Sequence, residues 1–171
     1  MNNRKKIGII KNKVLTRIII FLGGKMISLI LAAGKGTRMK SERSKVVHEV
    51  NGVPMVKMVS KLLKNAGIEK SIYILGHRME EVLNTIGEVE YVEQVEQLGT
   101  GHAVLIAKEK IEENKDDVLI TYGDTPLLRE ETINRMKEKF HNENLDCIIL
   151  SCNMKDPFAY GRIIKKDGNV V

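Results

Sequence analysis

The sequence predicts an α/β protein with a Rossmann-like, mainly parallel sheet and helices on both faces. Two observations predict this class. Short apolar runs alternate with segments of helical spacing from residue 26 onward, which is the pattern of βαβ units. A glycine-rich stretch follows the first apolar run, Ile27–Leu31, at the place where open α/β sheets bind ligands.

Each predicted element has its own signal. Pro54–Ala66 carries apolar residues at helical spacing, with Pro54 suited to the first turn and Gly67 to a C-terminal cap. Similar spacing or β-rich composition predicts the other elements. The helices are Met79–Ile86, Gly101–Ile111 and Glu130–Phe140, and the further strands are Ser71–Leu75, Val89–Val92, Val118–Tyr122 and Leu145–Ser151.

Charge is distributed unevenly along the chain. The 171 residues include 28 Lys and Arg against 22 Asp and Glu, a formal net charge of +6. Residues 1–25 hold seven of these cations and no acid, which leaves 21 cations against 22 acids in the remainder. A body of net charge −1 with 4% aromatic residues does not fit a nucleic-acid-binding protein. We therefore expect neither nucleic acid nor a membrane among its partners.

Residues 1–25 form a basic extension whose origin can be read in two ways. Arg17 interrupts the apolar core that a secretory signal needs, and the segment has too few consecutive apolar residues to span a membrane. We expect an unstructured or weakly helical extension. Gly23-Gly24-Lys25 is also what a purine-rich ribosome-binding stretch encodes in frame, so we hypothesise that Met26 is the biological start.

The C-terminal residues carry a hairpin signal. Arg162–Lys165 is followed by Asp167-Gly168, a dipeptide typical of two-residue hairpin turns, and then by Asn169-Val170-Val171. The chain ends as the return strand should begin, so we expect this hairpin to lack its second strand. The domain, residues 26–171, is accordingly expected to be C-terminally incomplete.

Cys147 and Cys152 lie five residues apart on or near one strand, which places their side chains on opposite faces. A disulfide between them is therefore not expected. Two buried thiols would fit a reducing compartment, and we expect a cytoplasmic protein.

The loop after the first strand has the composition of a phosphate-binding loop. Between Ala32 and Met39, small residues allow backbone N–H groups to approach a polyphosphate, and Lys35 and Arg38 add positive charge. Neither the Walker A loop nor the dinucleotide fingerprint fits, because no lysine lies between Gly36 and Thr37, and Met39 stands in place of the third glycine. Taken alone, this loop is equally consistent with a simple tight turn.

Further motifs strengthen the phosphate interpretation. Leu31–Met39 reads LAAGKGTRM, Lys45 follows after a short loop, and Tyr122-Gly123-Asp124 ends a later strand. In these features the sequence resembles sugar-phosphate nucleotidyltransferases. Gln94–Ala103, QVEQLGTGHA, and Tyr160-Gly161-Arg162 are similar to the uridylyltransferase half of the bacterial bifunctional enzymes that make UDP-N-acetylglucosamine. The resemblance covers residues 26–171 and implies the nucleotide-diphospho-sugar transferase type of fold.

The resemblance implies a reaction and a set of site residues. An oxygen of N-acetylglucosamine-1-phosphate would attack the α-phosphorus of UTP with the help of Mg²⁺, releasing pyrophosphate for cell-wall precursor synthesis. Arg38 would bind the leaving pyrophosphate, Lys45 the α-phosphate, and Asp124 the metal. The implied substrate-binding residues are Leu31, Ala32, Ala33, Gly34, Lys45, Gln94, Gly99, Thr100, Tyr122, Gly123, Asp124 and Gly161, with Gln94, Gly99 and Thr100 at the uracil and Gly161 at the sugar.

Each of these residues also has a structural alternative. Arg38 and Lys45 could be solvated surface cations, and Asp124 could form an Asx turn before Thr125-Pro126. Thr100 could cap the helix that follows it, and Gly161 could simply form a turn.

The chain also departs from the pattern that it resembles. Ser44 stands where the resembling enzymes usually carry proline, which would make the loop before Lys45 more rigid. Those enzymes continue with further sugar- and metal-binding residues and with a trimerising β-helix acetyltransferase domain. We therefore expect this chain alone to be a weak or inactive uridylyltransferase with no acetyltransferase activity. The alternatives are a nucleotidyltransferase for another sugar- or alcohol-phosphate and a non-catalytic nucleotide-binding remnant.

Overall fold

The computed structural model describes residues 18–20, 25–158, 161–166 and 169–170. Within these residues there are ten strands and five α-helices. The strands are β1 Ile18–Ile20, β2 Met26–Leu31, β3 Glu49–Val50, β4 Val53–Pro54, β5 Lys70–Leu75, β6 Glu90–Glu93, β7 Asp117–Tyr122, β8 Cys147–Ile149, β9 Lys165–Lys166 and β10 Asn169–Val170. The helices are α1 Met55–Asn65, α2 Met79–Ile86, α3 Thr100–Leu105, α4 Lys108–Asn114 and α5 Glu130–Asn142.

Six of the strands form one sheet in the spatial order β6-β5-β2-β7-β1-β8. Strands β6, β5, β2 and β7 run parallel to one another, and Leu31 at the end of β2 lies opposite both Ile74 and Tyr122. The carboxyl ends of these four strands therefore meet at one edge of the sheet, where open α/β sheets bind ligands. The predicted mainly parallel sheet is confirmed.

Helices cover both faces of this sheet. Alternate residues of β2 point to opposite sides: Ile30 belongs to a buried cluster with Val59 of α1, and Leu29 to a second cluster with Ala103 of α3. The first cluster also takes in α2 and α5. No helix in the described part of the chain is long and apolar enough to cross a membrane.

The predicted helix Gly101–Ile111 is wrong as a single element, because the chain forms α3 and α4 with a break between them. At the break, the N–H of Ala107 donates to the carbonyl of Val104, three residues earlier, at 3.2 Å. Ala107 is fully buried. The tightened turn lets this small residue pack into the core and redirects the chain, which helical spacing alone does not reveal.

The basic extension contributes a strand that we did not predict. Ile18–Ile20 pairs antiparallel with β8 over three residues, and Ile20 also lies opposite Val118 of β7. The expectation of an unstructured or weakly helical segment is therefore wrong for these three residues. A run of β-branched residues supplies backbone partners to the otherwise open side of β7. Residues 1–17 and 21–24 lie outside the described part of the chain.

The C-terminal hairpin is confirmed, but its return strand is present. Lys165–Lys166 pairs antiparallel with Asn169–Val170, so the expectation that this partner is missing is wrong. The strands are shorter than predicted because Arg162 to Ile164 form no ladder. Asp167, Gly168 and Val171 lie outside the described residues. The two short strands form a small sheet of their own.

The two cysteines are also placed differently from our expectation. Both Cys147 and Cys152 are exposed, whereas we expected buried thiols. Cys147 begins the edge strand β8, and Cys152 lies beyond its end. Strand position, rather than apolar character, decides their exposure.

Candidate active site

A cavity of about 430 Å³ opens at the carboxyl edge of the parallel strands. It is lined by residues from the loops after β2, β6 and β7 and from the turn that carries Lys45. Most of the residues that the sequence resemblance implied contribute to its lining: Leu31, Ala32, Ala33, Gly34, Arg38, Lys45, Gln94, Gly99, Thr100, Tyr122 and Asp124. Gly123 and Gly161 are not lining residues, and Gly161 is exposed.

Three consecutive residues of the loop after β2, Gly34, Lys35 and Gly36, line this cavity. Within the described residues, the N–H groups of Gly34, Lys35 and Gly36 have no hydrogen-bond acceptor. Gly36 has a φ of +61° and accepts a hydrogen bond from the N–H of Met39 at 2.9 Å, which closes a single 3₁₀ turn. Consecutive unpaired N–H groups at a strand end form a concave anion-binding site.

The cavity is positively charged. Three cations, Lys35, Arg38 and Lys45, line it against one carboxylate, Asp124. In the described part of the chain, neither Lys35 nor Arg38 has an ion-pair partner. Two uncompensated side-chain charges beside free N–H groups are suited to a polyphosphate.

Lys45 and Asp124 meet across the cavity. The Lys45 ammonium lies 2.5 Å from the Asp124 carboxylate, and both side chains are partly exposed. Lys45 begins a 3₁₀ turn whose next two residues, Val46 and Val47, are buried in the core. A Cβ added at Gly123 would lie 3.1 Å from Val46, so this glycine lets the loop carrying Asp124 approach the lysine turn.

Gln94 has a fixed orientation. It is 4% exposed, and its N–H donates to the carbonyl of Leu75 at 2.6 Å. Its amide nitrogen lies 3.2 Å from the carbonyl of Gly99 and 3.0 Å from Nδ1 of His102. Because a carbonyl only accepts hydrogen bonds, the atom facing Gly99 must be the nitrogen. The amide oxygen of Gln94 is thereby left as an acceptor.

Two structural alternatives can be compared with the observed contacts. Gly99, not Thr100, is the N-cap residue of α3, and Thr100 makes no side-chain cap bond, so that alternative is wrong. The Asp124 side chain makes the ion pair with Lys45, while the hydroxyl of Thr125 donates to the Tyr122 carbonyl at 2.9 Å. Thus Thr125, rather than an Asx turn at Asp124, stabilises this loop.

The sequence did not reveal three further residues at this site. Gly76 follows β5, and a Cβ there would lie 2.8 Å from the Gln94 carbonyl oxygen and 3.0 Å from Ala33. Gln97 lines the cavity beside Gln94. Glu81 of α2 binds the backbone immediately before Lys45. The sequence could have suggested Gly76, a glycine at a strand end, and Gln97, a second glutamine in the motif. No sequence signal pointed to Glu81.

A divalent cation would find one protein carboxylate here. Asp124 is the only acidic lining residue, and the described residues contain no cluster of three or more His, Cys, Asp or Glu that could hold a metal. Mg²⁺ commonly binds one or two carboxylates together with substrate phosphates and water. The donor set therefore fits a metal that arrives with a polyphosphate.

The fold and the cavity define an α/β protein with a glycine-rich loop at the exit of its first parallel strand, bordering a positively charged cavity. Residues 28–166 match the family described as the MobA-like NTP transferase domain. Because the match spans most of the chain, this protein belongs to that family.

Two curated relatives are similar to most of this chain. The chain is 41% identical over 147 residues to the bifunctional protein GlmU of Acetivibrio thermocellus, covering 85% of this chain and 32% of the relative. It is 44% identical over 144 residues to the GlmU of Alkaliphilus metalliredigens, covering 84% and 31%. The chain thus spans about a third of the length of the curated relatives that it matches.

Solved structures share the fold. A nucleotidyl transferase from Methanothermobacter thermautotroptrophicus has a TM-score of 0.58 and 23% identity, covering 68% of this chain and 58% of that one. The Mycobacterium tuberculosis protein Rv0371c, solved in complex with manganese, has a TM-score of 0.55 and 18% identity, covering 68% and 59%. At these identities the likeness concerns the fold alone.

Proposed function

We propose that this protein is a uridylyltransferase that joins UTP and N-acetylglucosamine-1-phosphate. The observation that carries the proposal is the cavity itself, whose lining combines Gly34–Gly36, with N–H groups that have no acceptor among the described residues, and the Lys45–Asp124 pair. The GlmU relatives and the NTP transferase family support the same assignment. The bond to form joins a sugar-phosphate oxygen to the α-phosphorus, and the bond to break joins that phosphorus to the bridging oxygen of the leaving pyrophosphate.

The triphosphate would lie along the loop after β2. The free N–H groups of Gly34, Lys35 and Gly36 would donate to its oxygens, and Arg38 would hold the pyrophosphate by its two-pronged guanidinium. Reactions of this type need little covalent chemistry from the protein, so placing the phosphates and stabilising their charge accounts for most of the catalysis.

Lys45 and Asp124 would exchange partners when the substrate binds. In the structure, the two side chains form an ion pair with 2.5 Å between the Lys45 nitrogen and an Asp124 oxygen. On binding, Lys45 would donate to an α-phosphate oxygen, and Asp124 would hold the divalent cation that comes with the nucleotide. Such a cation neutralises phosphate charge, and we propose Mg²⁺ for this role. The manganese complex of a structural neighbour is consistent with a divalent ion.

Gln94 would select the uracil base. Its amide nitrogen is used by Gly99 and His102, so the oxygen remains to accept from the N3–H of uracil. Cytosine in the same pose presents an unprotonated N3, and two acceptors would then face each other. A mismatched buried polar group costs about 1–3 kcal/mol, or roughly 5- to 150-fold in affinity.

Nucleotide competition tests this function. We expect calorimetry with Mg²⁺ to show tighter binding of UTP than of CTP. The pyrophosphate release, which we expect to be weak from this chain alone, should require N-acetylglucosamine-1-phosphate. Equal binding of UTP and CTP would contradict the uridine assignment. Pyrophosphate release with a different sugar- or alcohol-phosphate would identify that compound, rather than N-acetylglucosamine-1-phosphate, as the acceptor. UTP binding without any release would favour a non-catalytic nucleotide-binding protein.

A further inference from the structure

Glu81 on α2 accepts three hydrogen bonds, two from the segment before Lys45 and one from Arg78, the N-cap residue of its own helix. The backbone N–H of Ser44 donates to its Oε2 at 2.7 Å, and Nε of Arg43 donates to its Oε1 at 3.2 Å. Nε of Arg78, three residues earlier, donates to Oε2 at 3.0 Å. One carboxylate thus ties the start of α2 to the segment that leads into the cavity lysine.

The tie is placed immediately before Lys45. Ser44 is fully buried, so its N–H needs an acceptor inside the protein, and Glu81 supplies it. The carbonyl of Ser44 accepts from the N–H of Val47 at 3.1 Å, within the turn that carries Lys45. Both backbone polar groups of Ser44 are therefore fixed, one by a distant helix and one by the lysine turn. A long side chain such as lysine can reach its target reproducibly only if its Cα is held in this way.

We propose that Glu81 is a positioning residue for Lys45: by binding the Ser44 N–H, it fixes the backbone from which Lys45 reaches the α-phosphate. The role assigned to Lys45 rests on the proposed function. The hydrogen bond is a substitute for ring rigidity, because Ser44 has φ −58°, the value to which a proline ring restricts the chain, while only a residue with an N–H can bind Glu81.

The electrostatics agree with this role. The Ser44 N–H is the main cause that lowers the pKa of Glu81, with the two arginines adding to it, so the carboxylate stays charged at neutral pH. A merely structural role is the competing explanation, since acidic residues in a first helical turn stabilise the helix dipole. Glu80 provides the matched control, because it occupies the same first turn, is exposed and has no partner in the described residues.

Two measurements on Glu81→Ala and Glu80→Ala separate these roles. The first is the rate at which acetic anhydride modifies Lys45 in the ligand-free protein, followed by peptide mass spectrometry. The second is kcat and KM for pyrophosphate release with UTP, Mg²⁺ and N-acetylglucosamine-1-phosphate. Glu81→Ala should raise Lys45 modification several-fold and lower kcat roughly tenfold or more, with a smaller change in the KM for UTP. Glu80→Ala should change neither.

A double-mutant cycle tests whether the hydrogen bond from Ser44 to Glu81 holds the backbone in the way that a proline ring at position 44 would. Ser44→Pro removes the N–H and restricts φ near its present value, so Glu81→Ala should have little further effect in that background. Should the proline variant fail to fold, the comparison of Glu81→Gln with Glu81→Ala replaces it. The glutamine retains an oxygen for the Ser44 N–H and should keep most of the activity.

Results that overturn the role of Glu81 differ from results that overturn the proposed function. If the wild-type protein neither binds UTP in calorimetry nor releases pyrophosphate, the proposed function fails, while the Lys45 modification rate still reports on the hydrogen bond from Ser44 to Glu81. An unchanged Lys45 modification rate in Glu81→Ala would overturn the inference. So would a lowered melting temperature with kcat intact, or an equal loss from Glu81→Ala with and without Ser44→Pro.

Discussion

Gly36 occupies the tightest position in the phosphate loop, and replacing it with alanine tests how the loop and Lys45 fit together. Gly36 has φ +61°, a left-handed conformation that costs an L-residue roughly 1–2 kcal/mol. A Cβ at this position would lie 2.8 Å from the Cβ of Lys45. Carbon atoms in good contact are about 3.5–4.0 Å apart, so one of the two must move by about 1 Å.

That displacement sets the expected loss of function. Misplacing a catalytic group by about 1 Å can cost on the order of 10²-fold in rate. We therefore expect Gly36→Ala to lower kcat for pyrophosphate release by about that factor. Backbone strain alone should lower the melting temperature by roughly 2–8 °C in a chain of this size.

Gly52 is the matched control for backbone strain. It has φ +76° in the turn between β3 and β4, and a Cβ there would meet nothing within 4 Å. Gly52→Ala should thus cost a similar amount of stability and leave turnover unchanged. Pyrophosphate release and thermal unfolding are measured side by side on both variants. Full activity in Gly36→Ala, or an equal loss of activity in both variants, would show that the contact with Lys45 does not govern catalysis.

Three further predictions follow from the site and its surroundings. Lys45→Ala and Asp124→Ala should each lower kcat by about 10²–10³-fold, because each removes a group placed at developing or metal-bound charge. Gln94→Leu should weaken UTP binding roughly 5- to 150-fold in calorimetry and abolish the preference for UTP over CTP. Glu90→Gln should lower stability at neutral pH, because a hydrogen bond from Lys110 holds the pKa of Glu90 below its usual range. A depressed pKa stabilises the fold above the unfolded value of about 4.3, so the difference from wild type in denaturant unfolding should vanish as pH falls through the lowered pKa.

Controls and contrary results are specific to each prediction. Lys57→Ala, at an exposed position of α1, controls for the loss of a lysine charge, and turnover equal to wild type in Lys45→Ala would remove Lys45 from the mechanism. The same test applies to Asp124. If Gln94→Leu keeps the UTP preference, the base is read elsewhere. A Glu90→Gln deficit that persists at low pH would show that packing, not charge, is responsible.

The elements recovered from the sequence share a strong local signal. The helix predicted at Met79–Ile86 has those bounds in the structure, and β2, β5 and β7 match their predicted apolar runs within a residue or so. Buried parallel strands read as continuous apolar runs, so this signal is hard to miss. The break at Ala107 gave no comparable signal. The β-branched run Ile18–Ile20 was visible in the sequence, but its pairing with β8 depends on a strand far along the chain.

The site residues also differ in whether the sequence alone could suggest them. Its glycine-rich loop, Lys45, Gln94 and Asp124 could be proposed from motifs that are continuous in the sequence, and all of these line one cavity. Glu81 could not, since it acts on Ser44 across 37 residues of sequence, and a single glutamate on a helix is usually a solvated side chain.

Residue pattern was enough to establish the α/β class and the strand ends at which polar groups would gather, since periodicity and glycine placement are local properties of the chain. The pairing of Lys45 with Asp124, the orientation of the Gln94 amide and the tie from Glu81 to Ser44 arose only with the packed protein. The first and third of these contacts join segments that are distant in sequence, whereas the Gln94 amide is oriented by Gly99 and His102 across the turn into α3. Their partners are selected by burial and distance after the sheet has assembled, which no local pattern records.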